Sequence, residues 1–518
     1  MQVIKVIKSS GILGSIAALT VLIFGGWSGT VIGWLLGTAA GFMGCSDRKI
    51  LTPPVGARLG ASSGLAIGLW LLIASIIQGV LAPVLGQPTV SFLQALIYGL
   101  VALAVATVAG GVIGASQGLP NPRRRLATLV TLAFILIIFP FVDRVAQTSW
   151  IDTIIQIQIF IMLALGLNIV VGYAGLLDLG YAAFFAIGAY TTGLLSSSQI
   201  NIDWNFWLVL PIAAAVAAIF GVILGTPTLR LRGDYLAIVT LGFGEIVPVV
   251  FRNLTELRIY EPISTIFGSL VGHPEWGICL LGCDRPINLT GGEAGINPIG
   301  RPSLPIIGGF NAGDYLPWYY LILCLVVFAY VMIGRLRDSR LGRSWAAIRE
   351  DELAASAMGI NLVKTKLLAF AMGATFSGFA GSFYAAYTSA IFPSVFDFSV
   401  SVIILCMVIL GGLGNMTGVI LGGIIIMAAD RLYLPQLAQV LKSFLNATVL
   451  PNIASPQLRD FVATSIDPIQ MRLFLFGLTL VIMMIVRPEG LVPDAMRQAE
   501  LHSEDEAMQE SLADARSQ

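Results

Sequence analysis

The chain has 518 residues, of which 57% are hydrophobic and only 11% charged, with a mean hydropathy of +0.87. A soluble protein keeps roughly a quarter of its residues charged, so that class is excluded. Lys and Arg balance Asp and Glu at 29 each, which leaves no bulk field for nucleic acid or an acidic substrate.

Apolar stretches fall near 11–25, 28–44, 59–82, 91–115, 126–142, 151–172, 176–195, 206–227, 235–252, 316–333, 367–388, 397–411, 416–430 and 471–487. At the ~20 residues a bilayer requires, they predict an all-α polytopic membrane protein with about fourteen spans. Lys5 and Lys8 precede the first stretch as in a signal peptide, but the hydrophobicity that follows is too long and recurs too often for a cleaved signal. Residues 11–44 read as one long helix or as a hairpin broken at Gly25-Gly26-Trp27-Ser28-Gly29. Only the hairpin keeps Lys5, Lys8, Arg48 and Lys49 together.

Residues 1–120 carry glycine at every fourth position: Gly29, Gly33, Gly37 and Gly41; Gly56, Gly60, Gly64 and Gly68; Gly110, Gly114 and Gly118. This spacing leaves a bare ridge on which another backbone can approach closely. The ridges pack against each other, the remaining spans or a partner chain, and an accessory bundle without transport chemistry is the favoured reading of them. Pro120-Asn121-Pro122 and Arg123 to Arg125 mark the boundary to a second block, 121–495.

Counting spans puts three basic clusters on one side: Arg123 to Arg125; Arg230 with Arg232; and the 334–366 connection with Arg335, Arg337, Arg340, Arg343, Arg349, Lys364 and Lys366. The positive-inside rule makes that side cytoplasmic, and puts 196–205 and 253–315 outside. Ionisable groups inside spans are costly, which singles out Asp178 and Glu245. Both read as structural. They read alternatively as groups lining a pathway, or as the coupling sites of an ion-driven carrier.

Cys279 and Cys283 share the 253–315 loop; they pair if it faces an oxidising compartment and are otherwise free thiols. In the same loop Leu289 to Ile296 reads LTGGEAGI, so Thr290, Gly291 and Gly292 shape a pathway mouth or simply turn the chain. His273 has no visible metal partner, and no Ser/His/Asp or Cys/His arrangement gives a membrane enzyme its catalytic cluster. Residues 496–518 are polar and mostly acidic, and read as a disordered tail.

The 334–366 connection is too polar for the bilayer yet rich in helix formers. A helix over Trp345 to Met358 is predicted, with Ser344 as its cap and Gly359 at its C-terminal end. Trp345, Ile348, Leu353 and Met358 supply apolar surface, while Arg349, Glu350, Asp351 and Glu352 supply charge. Such a helix docks into a soluble partner or lies on the membrane surface. The six lysines are never preceded by glycine, so GxxxxGK[ST] is absent and any ATP hydrolysis belongs to another chain.

The run GRSWAAIREDELAASAMGINLVKTKLLAF resembles the coupling loop of permease subunits in branched-chain amino acid ABC importers, the LivM type. LALGLNIVVGYAGLLDLGYAAFFAIGAYTTGLL (163–195), LRLRGDYLAIVTLGFGEIV, LTGGEAGI, VILGGLGNMTGVILGG and FGLTLVIMMIVRPEGLVP follow in the family's order across most of 126–495. The resemblance implies a type II-like importer fold of about ten core helices, here with about four more at the N-terminus. It implies a second homologous permease, two cytoplasmic ATPase subunits that bind ATP and Mg, and an extracytoplasmic binding protein, in a bacterial inner membrane. Residues 345–359, with Ala355 and Gly359, would then transmit ATPase closure, and the resemblance makes Asp178 and Glu245 structural, capping a broken helix or bonding Tyr173 or Tyr181. Related permeases serve neutral amino acids, urea or amides, and the spans do not choose among them.

Overall fold

The computed structural model describes residues 28–45, 53–81, 92–117, 121–197, 202–228, 234–255, 259–260, 279–281, 288–304, 308–311, 313–444, 472–486 and 490–492, with single positions between 15 and 24 and residue 119. The tail 496–518, Lys5, Lys8, Arg48, Lys49, Arg230, Arg232, His273, Cys283, the Cys279 side chain and the turn at 25–27 lie outside these residues. The helices in chain order are α1 (Ser28–Cys45), α2 (Pro53–Leu81), α3 (Phe92–Gln117), α4 (Asn121–Ala146), α5 (Ile151–Asn168), α6 (Tyr181–Leu195), α7 (Phe206–Thr228) and α8 (Asp234–Asn253). After these come α9 (Tyr315–Asp338), α10 (Arg340–Glu350), α11 (Glu352–Ala357), α12 (Leu362–Thr388), α13 (Phe398–Gly411), α14 (Met416–Ala428), α15 (Leu434–Phe444) and α16 (Arg472–Val486).

Nine helices among the described residues are long and apolar enough to cross a membrane. Strand is confined there to three short two-stranded sheets in the connections. The chain is an all-α polytopic membrane protein. It divides into two compact units, Met1–Thr153 with Ala429–Arg472, and Ile154–Ala428 with Leu473–Gln518.

In the first unit the glycine ridges meet one another. Gly56 and Gly60 of α2 lie against Gly114 and Gly110 of α3, and further along Gly64 faces Ala106 and Gly68 faces Leu103, so the two helices run antiparallel. On α1, Gly33 and Gly37 seat on the backbone of Ala102 and Ala106, and Gly33 also meets Leu71 of α2, so the three helices pack mutually. Lipid supplies no hydrophobic force between helices, so this backbone-to-backbone approach is what holds them. A Cβ at Gly60 would collide with the Gly110 carbonyl.

In the second unit α5 is buried from Ile157 to its end. Helix α12 packs on α6 and α7 through Gly378 and Gly381, and Thr192 and Ser382 bond across the α6–α12 seam at 2.8 Å.

Two expectations are corrected here. The span expected at 176–195 is helical only from Tyr181. A π-turn, Ile169–Tyr173, closes α5, and 174–180 leave the helix with Gly175 at φ +70°. The single helix expected from 345 to 358 is two helices. Ser339, not Ser344, caps α10, and Asp351 leaves helical geometry (φ −153°, ψ 113°) to cap α11, accepting from Leu353 N and Ala354 N. Asparagine and aspartate favour such caps because the side chain satisfies amides that have no helical partner.

Candidate functional site

Helices α10 and α11 sort their side chains between two faces. Trp345, Ile348 and Ala355 point inward and are buried. The Trp345 Nε1 donates to the Thr365 carbonyl at 2.8 Å, fixing α10 to the first turn of α12. Glu352 forms an ion pair with Lys366, itself buried. The other face exposes Glu350, Asp351, Leu353 and Met358, the last at 83%. The four apolar residues grouped in the sequence thus split into an inward pair and an outward pair.

Gly359 ends α11 at φ +85°, with Ile360 N bonding to Ala355 O and Gly359 N to Ser356 O. This paired pattern is the C-terminal motif that favours glycine, because its left-handed residue is strained when it carries a Cβ. Nothing lies within 4 Å of where that Cβ would be.

Arg349 turns inward. Its Nη1 donates to the Gly172 carbonyl at 2.7 Å, in the π-turn that ends α5. Beyond that turn, backbone at 174–180 is free of helical pairing but not of partners. Leu176 N bonds to Val170 O, Leu179 N to Thr240 Oγ1 and Gly180 N to Asp178 Oδ1. Irregular backbone is tolerated at membrane depth only where such partners exist. Asp178 is buried, and its second oxygen has no partner among the described residues. Neither tyrosine takes it as an acceptor in the geometry seen: the Tyr181 hydroxyl donates to Gly373 O at 2.8 Å. Tyr173 is buried in the π-turn itself.

The remaining candidates lie elsewhere. Thr290 donates to Phe251 O at the end of α8, Gly291 N bonds to Asn288 Oδ1, and Gly291 and Gly292 both take positive φ. Arg252 and Glu293 form an ion pair there at 2.8 Å. Leu179 meets α8 at Thr240, so the Asp178 and Thr290 clusters stand about 16 Å apart along that helix at 1.5 Å per residue. Glu245 sits between them on the exposed side of α8, among Ile238, Ile246 and Val249. Among the described residues no group of His, Cys, Asp and Glu could hold a metal ion.

Residues that spacing missed are Asn168, Lys366 and Gly414. The buried Asn168 Oδ1 accepts from Gly414 N at 3.0 Å, tying α5 to the turn between α13 and α14. A lone asparagine within an apolar run was the available signal.

A family model described as branched-chain amino acid transport system, permease component, matches residues 149–484. The LivM permease protein of the high-affinity branched-chain amino acid transport system of Salmonella typhimurium is 36% identical over 382 residues, 72% of this chain and 76% of its own. A probable LivM of Methanocaldococcus jannaschii is 26% identical over 344 residues, 65% of this chain and 91% of its own. The Salmonella typhimurium LivH permease is 24% identical over 284 residues, 53% of this chain and 81% of its own. No solved structure matches.

Proposed function

Because the chain belongs to the branched-chain amino acid transport permease family, we propose that it is the membrane-embedded permease subunit of an ATP-driven importer that moves branched-chain amino acids inward. The ATPases are separate chains that dock on α10 and α11. The observation that carries this reading is the two-sided build of that pair. Its outer face offers Leu353 and Met358 beside Glu350 and Asp351, while its inner face reaches the broken end of α5 through Arg349.

Further partners are a second, related permease and an extracytoplasmic binding protein, in a bacterial inner membrane. A charged group on a lipid-facing helix surface costs several kcal/mol, so the exposed Glu245 supports a partner or a water-filled pathway along α8. No lysine supplies a phosphate loop, which supports an external source of ATP hydrolysis. Closure of the ATPases would be felt at 340–359 and alternate access to the pathway.

The test is leucine uptake into proteoliposomes that hold the purified complex, with ATP inside and the binding protein outside. ATP-dependent accumulation is expected, and its absence with an intact complex removes the reading. Gly359→Val, strained at positive φ yet free of clashes, should abolish uptake while the ATPases still co-purify. Normal uptake by that variant would remove the coupling role of Gly359.

A further inference from the structure

Arg349 belongs to the connection that faces the ATPases, but its side chain is spent inside the permease. Its Nη1 reaches the Gly172 carbonyl at 2.7 Å, and its aliphatic stem lies under Gly175, where an added Cβ would come to 2.9 Å from Cγ. Gly172 closes the C-terminal end of α5, where carbonyls lack amide partners and carry the negative end of the helix dipole. A guanidinium, always charged and with several donors on one plane, suits that position.

The segment that Arg349 grips is held on its other side as well. Asn168 Oδ1 accepts from Gly414 N, and Gly172 has no room for a side chain between that oxygen and the Gly414 amide. Residues 168–175 are therefore clamped between α10 and the 412–415 turn. They lead directly into 174–180, which carry the buried Asp178. The clamped stretch includes a π-turn, a widened winding that recurs at functional sites and is one place where a helix changes its pairing.

We propose that Arg349 is a positioning residue whose hydrogen bond to Gly172 carries displacement of α10 into the non-helical segment 174–180, and that it is not a contact to the ATPase. The proposal rests on the importer reading above and names the route by which the outer face acts on the spans.

The two ideas separate in one experiment on the reconstituted complex, reading leucine transported and ATP hydrolysed in the same vesicles. Arg349→Gln should lower the leucine moved per ATP by about fivefold or more, the scale of a typical coupling between two sites. Arg349→Lys, which keeps a charged donor but loses the planar fork, should show a smaller fall. An ATPase contact or a purely structural role predicts that uptake and hydrolysis decline together, leaving the ratio at the wild-type value. That outcome overturns the proposal while the importer reading stands. If Arg349→Gln does not assemble, Arg349→Lys decides alone: a lowered ratio supports the route and an unchanged one overturns it. A wild-type complex that moves leucine without hydrolysing ATP overturns both.

Discussion

Trp345 shows how much a single side chain can mislead when its spacing alone is read. It is fully buried, and its indole N–H is satisfied by the Thr365 carbonyl. Trp345→Ala should cost about 3–5 kcal/mol, the usual penalty for emptying a large aromatic site. Trp345→Phe, which keeps an aromatic ring but loses both volume and the hydrogen bond, should cost less, about 1–3 kcal/mol. Both are read as the shift in unfolding temperature of the detergent-solubilised protein, and an Ala variant as stable as wild type would contradict this burial. In the sequence Trp345, Ile348, Leu353 and Met358 form one apolar set. Asp351 breaks the helix between them, and that break decides which pair faces in. A propensity reading sees good helix formers on both sides of Asp351 and has no means of placing it as a cap.

At the scale of elements, the glycine ridges of α1, α2 and α3 give a contrast that can be measured. Gly60→Ala puts a methyl into the Gly110 carbonyl, so the helices must separate, and overpacking of this kind costs about 1–3 kcal/mol. Gly242→Ala in α8 meets nothing within 4 Å and should leave the unfolding temperature unchanged or slightly raised, since alanine is the better helix former. Equal effects from the two substitutions would contradict the packing described. The ridges were legible in the sequence because a four-residue period is a local property. Their partners were not, since the same bare face serves a neighbouring helix, another span or another chain. The broken end of α5 was half legible. Glycines at 172, 175 and 180 permit the break, but the amides it frees are met by Thr240 and Ser401, distant in sequence.

Across the whole molecule, the family match covers 149–484, whereas contacts within the chain join Met1–Thr153 to Ala429–Arg472. Arg349, Gly172, Asp178, Asn168 and Gly414 all fall in the other unit. A chain lacking residues 1–120 is therefore expected to keep leucine uptake per assembled complex within about twofold of wild type, since separated sites act nearly independently. Loss of uptake from complexes that still assemble would give the bundle a part in transport. The sequence by itself determined the membrane class, the apolar segments, the glycine ridges and the polar connection, since hydropathy, period and charge are written locally. Family resemblance added the transport role. Only the tertiary structure decided that Arg349 turns inward to Gly172, that Trp345 braces α10, and that Asp178 and Thr290 stand at separate places along α8. Each of those depends on which distant backbone groups lack a partner, a property that no stretch of sequence contains.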